Sequence, residues 1–269
     1  MDRRVGIEGK TAVSPRARAS AVLLACLLGW TTISVSVAAA ELTYSATVLA
    51  DGPTSYWRLG EASGTVLADA AGTNPGKAKG GLTLGVAGAL SSDPDTAVGL
   101  GSNSAYVSVA NAANLNFGAD FSVEAWAKPS VVNGIGGAVV HKGGTSGYSV
   151  WQYRLSVTSG NQWRGTVYVG ATAITVTAPG SATTAWTHLV MTKAGSTLCL
   201  YVNAVLAASA TITGTPNTST GILAIGRTGA SSSDYFNGAV DEVAVYPAAL
   251  SASRVAAHFS AATGPPPPP

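Results

Sequence analysis

Phe121-Ser-Val-Glu-Ala-Trp126 is the stretch that decides the fold. Along an extended chain its odd positions, Phe121, Val123 and Ala125, share one face, and Glu124 and Trp126 share the other. Trp151-Gln-Tyr-Arg-Leu-Ser-Val157 repeats the period, with Trp151, Tyr153, Leu155 and Val157 on its apolar parity. Working outward, short β-branched and aromatic runs recur between clusters of Gly, Ser, Asn and Asp. They are Ser55–Leu59, Ala105–Val109, Gly137–His141, Tyr148–Val157, Trp163–Val169, Ala173–Thr177, Trp186–Thr192, Leu198–Leu206, Ile222–Ile225 and Ala239–Tyr246. Such spacing predicts two antiparallel sheets packed face to face. The run from Leu198 does not keep one parity beyond Ala204, which places a turn at Asn203-Ala204. Helical periodicity is nearly absent. One short helix is expected near the C-terminus, where Ser251 can cap it, Pro247 precedes it, and Val255 and Phe259 stand four apart.

Composition agrees. Of the 269 residues, 46% are apolar and only 10% charged, which excludes a disordered tail or a long charged coiled coil. The net charge of +2 divides unevenly. Arg3, Arg4, Lys10, Arg16 and Arg18 stand against Asp2 and Glu8 in the first 40 residues, so the remainder is near neutral. A body without a basic field is not built for phosphate backbones, and no nucleic-acid partner is expected. The basic start leads into the apolar stretch Ala21–Trp30 and then Ala38-Ala39-Ala40, the pattern of an export signal over residues 1–40. Ten strongly apolar residues fall short of the roughly 20 that span a bilayer. Cleavage before Glu41 would leave a secreted chain with no membrane span and with Cys199 as its lone cysteine, so no internal disulfide can form. One all-β domain is expected over 41–263. Gly264 and the five prolines after it, 264–269, read as a stiff polyproline linker toward adjoining domains.

Four segments taken together resemble the laminin-G-like jelly-roll modules of the concanavalin A-like lectin/glucanase superfamily. They are Asp51–Glu61, Phe121–Pro129, Trp186–Val190 with Leu200–Asn203, and Phe236–Tyr246. The resemblance implies an all-β, two-sheet antiparallel jelly-roll sandwich with one short C-terminal helix. It also implies an accessory module in secreted proteins, and the leading expectation is a non-catalytic binding module with carbohydrate as its ligand. Alternatives are a structural spacer or a protein-adhesion module within a larger extracellular protein. A glycoside hydrolase ranks last.

The residues themselves argue against catalysis. Glycoside chemistry needs two carboxylates flanking the scissile bond. The alternating acid pattern occurs only at Asp93-Pro-Asp95, in an evident turn. Glu124 has no acid two positions away, and adjacent Asp241 and Glu242 are expected on opposite faces of a strand. A metal is the sharper expectation. Asp241 shares parity with Val243 and Val245, and a carboxylate on an apolar face needs donors or a cation. The Asp69-Ala-Ala-Gly-Thr-Asn74 loop resembles one that holds calcium in such modules, which implies Asp69 and Asp241 as ligands and Asn74 as a further one. The competing reading has Asp69 capping a turn and Asp241 satisfied by backbone N–H groups. For a glycan or protein ligand, Tyr148, Trp163 and Tyr235 flank loops and are candidates for an exposed aromatic rim, with Arg164 beside Trp163. Trp57, Trp126, Trp151 and Trp186 are read as packing, and His188 as a structural histidine.

Overall fold

A computed structural model describes residues 43–91, 93–101, 104–132, 136–144, 150–229 and 234–264. The expected export signal, the proline run and Tyr148 lie outside the described residues. In chain order the strands are β1 Ser55–Trp57, β2 Val66–Leu67, β3 Gly76–Lys79, β4 Thr83–Ala87, β5 Thr96–Leu100, β6 Tyr106–Val109, β7 Phe121–Pro129 and β8 Gly137–Gly143. They continue as β9 Trp151–Val157, β10 Gln162–Val169, β11 Thr172–Ser181, β12 Thr187–Ala194, β13 Thr197–Val202, β14 Val205–Thr211, β15 Leu223–Ile225 and β16 Gly238–Tyr246. Two helices, α1 Tyr44–Ala50 and α2 Ala252–Thr263, flank them.

The strands form two antiparallel sheets, as the alternation predicts. One runs β14-β13-β12-β7-β16-β5-β4 with β1 also paired to β16, and the other runs β11-β10-β9-β8-β15-β6-β3-β2. Phe121, Val123, Ala125 and Ala127 of β7 enter the core between the sheets, where they meet Tyr153, Leu155 and Val157 of β9. Trp126, on the opposite parity, joins a second core with Tyr44, Val48, Tyr56, Val190, Tyr246 and Val255. That second core lies between the first sheet and the two helices, so the amphipathic period of β7 covers both of its faces. Burying each large apolar side chain contributes about 1.5–3 kcal/mol, which makes this two-layered core the principal support of a fold without an internal disulfide.

The turn expected at Asn203-Ala204 is present. Both residues have positive φ, 49° and 64°, the backbone that joins β13 to β14 in register with the right-handed twist of a two-residue hairpin. The C-terminal helix is also present, with the Ser251 hydroxyl accepting from the Arg254 N–H at 3.3 Å. Helix α1 is unforeseen. Its seven residues, Tyr-Ser-Ala-Thr-Val-Leu-Ala, include two β-branched side chains and offer only the single apolar pair Tyr44 and Val48 at helical spacing. It is held by the Thr43 cap on the Ala46 N–H and by burial of Tyr44, Thr47 and Val48 against its surroundings.

Strand β16 departs from simple alternation. Its register with β7 shifts between Asp241 and Ala244, and Glu242 adopts φ of 51°. This is a β-bulge, one extra residue that resets the parity. Val240, Val243 and Val245 face the inter-sheet core, whereas Asp241 pairs with Trp126 on the other side. The expectation that Asp241 shares the face of Val243, and that Asp241 and Glu242 diverge, is therefore corrected. Both carboxylates leave the inter-sheet face.

Candidate functional site

Three polar assemblies are built on this scaffold, one buried beside the helices, one half-buried and one open. In the first, Glu124 is fully buried. It accepts from the Tyr44 hydroxyl at 2.9 Å, the Tyr246 hydroxyl at 2.5 Å, His188 Nε2–H at 2.6 Å and His258 Nδ1–H at 3.0 Å. The other nitrogen of His258, Nε2, lies 2.9 Å from Asp51. A histidine whose two nitrogens both face carboxylates donates to both only as imidazolium. Burial acts to lower the His258 pKa, but the charges and hydrogen bonds of Glu124 and Asp51 outweigh it and hold the group above its ordinary value. Burial likewise opposes ionisation of Glu124, and His258 and His188 reverse it and keep the carboxylate well below the usual range. Carboxylate, imidazoles and phenols resemble acid–base machinery, yet His188 and His258 are as fully buried as Glu124. The arrangement joins α1, α2, β7, β12 and β16. His188 is the structural histidine the sequence suggests.

In the second assembly the Arg58 guanidinium reaches Asp93 at 2.7 Å, Asp95 at 2.9 Å and Glu242 at 3.1 Å. The Tyr56 hydroxyl also donates to Glu242. Burial pushes Glu242 up to about 7 against the pull of Tyr56 and Arg58. Asp241, beside it, accepts from the Ala89 N–H at 2.8 Å through Oδ2, while its buried Oδ1 has no partner. Burial, then the Glu242 charge, raise Asp241 well above the usual carboxylate range. The sequence reading missed this cluster because its members are 35 and 184 residues from Arg58 and only the bulge turns Glu242 toward it.

The residues expected to hold calcium do not fit that ion. Asp69 Oδ1 accepts from the N–H groups of Tyr56 at 2.8 Å, Ala71 at 3.2 Å and Gly72 at 2.9 Å, and Oδ2 accepts from Asn74 at 3.0 Å. Three backbone hydrogens crowd Oδ1 and a fourth reaches Oδ2, so a cation beside this carboxylate would face N–H groups. The Asn74 amide donates to Ser55 and Asn114. Asp241 shares no hydrogen-bond partner with either residue. Asp69 is the cap of its loop, as the competing reading has it.

The expected aromatic rim is also redistributed. Trp163 is 3% exposed and belongs to the inter-sheet core, since β10 places it on the parity of Val167. One side of it still lines a hollow of about 380 Å³ with Pro179, Val205 and Leu206. Arg164 falls on the opposite face, paired with Ser156 and Thr177. Tyr235 is half-buried, and its hydroxyl accepts from Arg227 Nη1 at 3.3 Å. Arg227, which the sequence reading did not single out, lies with its Cζ 3.8 Å from the centre of the Tyr106 ring. Arg227 and Tyr106 line the third assembly, a hollow of about 470 Å³ bounded by β6, the end of β8 and the segments flanking β15, whose wall also includes Ser108. Trp57, Trp126 and Trp151 are buried packing residues, as expected.

A family model described as the concanavalin A-like lectin/glucanases superfamily matches residues 101–256, more than half of the chain. A search of curated protein sequences gives no match. Among solved structures, the binding domain of Paraclostridial Mosquitocidal Protein 1 is similar at 18% identity and TM-score 0.62, over 79% of this chain and 52% of that one. The binding domain of botulinum neurotoxin DC in complex with rat synaptotagmin II is similar at 15% identity and TM-score 0.61, over 80% of this chain and 52% of that one. Trypanosoma rangeli sialidase in complex with sialic acid is similar at 17% identity and TM-score 0.57, over 77% of this chain and 32% of that one. The likeness is one of fold, and the chain spans about half the length of the two toxin domains.

Proposed function

The chain belongs to the concanavalin A-like lectin/glucanases superfamily, and from that premise we propose that it is a secreted, non-catalytic module that binds carbohydrate. The observation that carries this reading is the contrast between the two faces of the sandwich. The first sheet is covered by the helices and holds its acids enclosed or paired. The second sheet carries the open hollow of Tyr106, Ser108 and Arg227, and the buried residues of the helices pack with residues of the first sheet and not with it. Concave sites with a few convergent polar and aromatic groups are the usual seats of small ligands. The acids that hydrolysis would need are otherwise engaged: Glu124 by five contacts inside the core, and Asp93, Asp95 and Glu242 by Arg58.

The test is a glycan array probed with the full chain, followed by incubation with the glycans that bind. A bound subset with no reducing sugar released is the expected result. Release that disappears in Glu242→Gln would overturn the non-catalytic reading. Binding of protein ligands with an empty array would favour an adhesion module, the reading that the synaptotagmin complex of the neurotoxin domain supports.

The same reading dispenses with calcium at Asp69. Melting temperatures in millimolar calcium and in chelator are expected to coincide. A rise with calcium that is lost in Asp241→Asn would restore a cation to the unpartnered oxygen of that residue.

A further inference from the structure

The hollow on the second sheet has a charge that the rest of the domain does not neutralise. Arg58 meets three carboxylates, Arg154 meets Asp234 at 3.4 Å and Arg254 meets Asp51 at 2.8 Å. Among the described residues no carboxylate lies within ion-pair distance of Arg227. Its Nη1 and Nη2 bond the Tyr235 hydroxyl and the Gly229 carbonyl, each at 3.3 Å, and its buried Nε has no partner. Arg164 also lacks an acid, but it does not line the hollow.

The surroundings deepen the positive field. Directly paired residues of an antiparallel ladder point to the same face. Lys77 pairs with Ser108 and Lys79 with Tyr106, which sets two exposed ammonium groups beside the hollow. His141 lies on that face too, through the register Ser108, Ala224, His141, but burial pushes it down to about 3 and leaves it neutral. Asp234, an acid near this face, is engaged by Arg154.

Glycine backbone forms part of the wall, beside Val150, Thr220 and Ile222. A Cβ on Gly221 would lie 2.2 Å from the Gly143 carbonyl, and one on Gly229 would lie 2.6 Å from the same oxygen, so the close approach of these segments requires glycine. The strands beneath, β6, β15 and β8, are interior to their sheet, so their ladder groups are paired and an added peptide strand has no edge to join.

We propose that this hollow is a binding subsite for a carboxylate-bearing sugar, the acid group paired with the Arg227 guanidinium and the sugar ring set against Tyr106 and Ser108. The inference rests on the carbohydrate reading and deepens it. A planar guanidinium with its Cζ 3.8 Å from the centre of an aromatic ring still has N–H groups to offer a carboxylate in pairs, a geometry that an ammonium does not reproduce. A neutral sugar would leave the cation unpaired.

The experiment is calorimetric titration of the full chain with sialyllactose, with lactose and with a hexaglutamate peptide. Sialyllactose is expected to bind at least tenfold more tightly than lactose or the peptide. That preference should vanish in Arg227→Gln, and also in Ser108→Asp, which places a second carboxylate in the hollow to repel that of the sugar and to compete with it for Arg227. Unchanged melting curves confirm that both variants fold. Lactose bound as tightly as sialyllactose, with Arg227→Gln unaffected, would overturn the acidic-sugar assignment while leaving the carbohydrate reading in place. The peptide bound as tightly as sialyllactose would overturn the saccharide assignment. Failure of every saccharide, here and on the array, would overturn both.

Discussion

Glu124→Ala is expected to cost about 3–5 kcal/mol of folding stability, the range for removing one partner of a buried charged pair. For a domain of this size each kcal/mol corresponds to about 2–4 °C, so the melting temperature should fall by roughly 6–20 °C. The loss is large because the substitution leaves the Tyr44 and Tyr246 hydroxyls and two imidazoles buried without their acceptor. The cost should also depend on pH in a defined direction. His258 is held above its ordinary value of 6.5, so its contribution is complete below about that pH and is lost as pH rises through the folded value. Glu124 is held below its ordinary 4.5, so its contribution is present above that pH and is lost as pH falls. The gap between wild type and variant should therefore be widest between these limits and should narrow as pH rises above 6.5. Denaturant midpoints measured from pH 4 to 9 check this. A loss below about 1 kcal/mol, the net worth of one ordinary hydrogen bond, would show that the network is not the clasp between helices and sheet.

Arg58→Met is expected to have the next largest effect, about 2–4 kcal/mol. That is less than a fully buried pair would lose, because 30% of the Arg58 side chain faces water and part of the interaction is screened. Removing the cation leaves Glu242, Asp93, Asp95 and nearby Asp241 with their mutual repulsion. Here acid should rescue. Glu242 already stands at about 7 in the fold against an ordinary 4.5, so the folded state holds its proton more firmly, and stability from this group is complete below 4.5 and lost as pH rises toward 7. Without Arg58 that value moves higher still, and a proton substitutes for the missing cation. Urea midpoints at pH 5 and pH 8 should show the variant much closer to wild type at the lower pH. An equal deficit at both would mean that Arg58 acts through packing and not through charge.

The comparison structures share the sandwich at identities of 15–18%, so the architecture survives nearly complete replacement of side chains.

How much of this is written in the sequence follows from the range of the interactions. Strand period is local, set by the pleat, and so the two faces of Phe121–Trp126, the turn at Asn203-Ala204 and the helix capped by Ser251 are legible residue by residue. The short strands β2 to β5 are not. Gly76-Lys-Ala-Lys79 and Thr96-Ala-Val-Gly-Leu100 carry too little alternation, and they are strands because neighbours complete their ladders. Helix α1 is likewise decided by burial. The sites depend still more on tertiary structure. Asp69 reads equally well as cap or ligand until four N–H groups are seen to surround it. Trp163 reads as a rim residue until its parity is fixed by the register of β10. A bulge shifts every later side chain to the other face and has no local signature at Asp241-Glu242. Arg227 stands out only when the described residues show no acid within ion-pair distance of it. The sequence determined the sandwich because period is a property of neighbours. The structure decided the sites, because a charge is satisfied or left open by residues that may lie more than a hundred positions away.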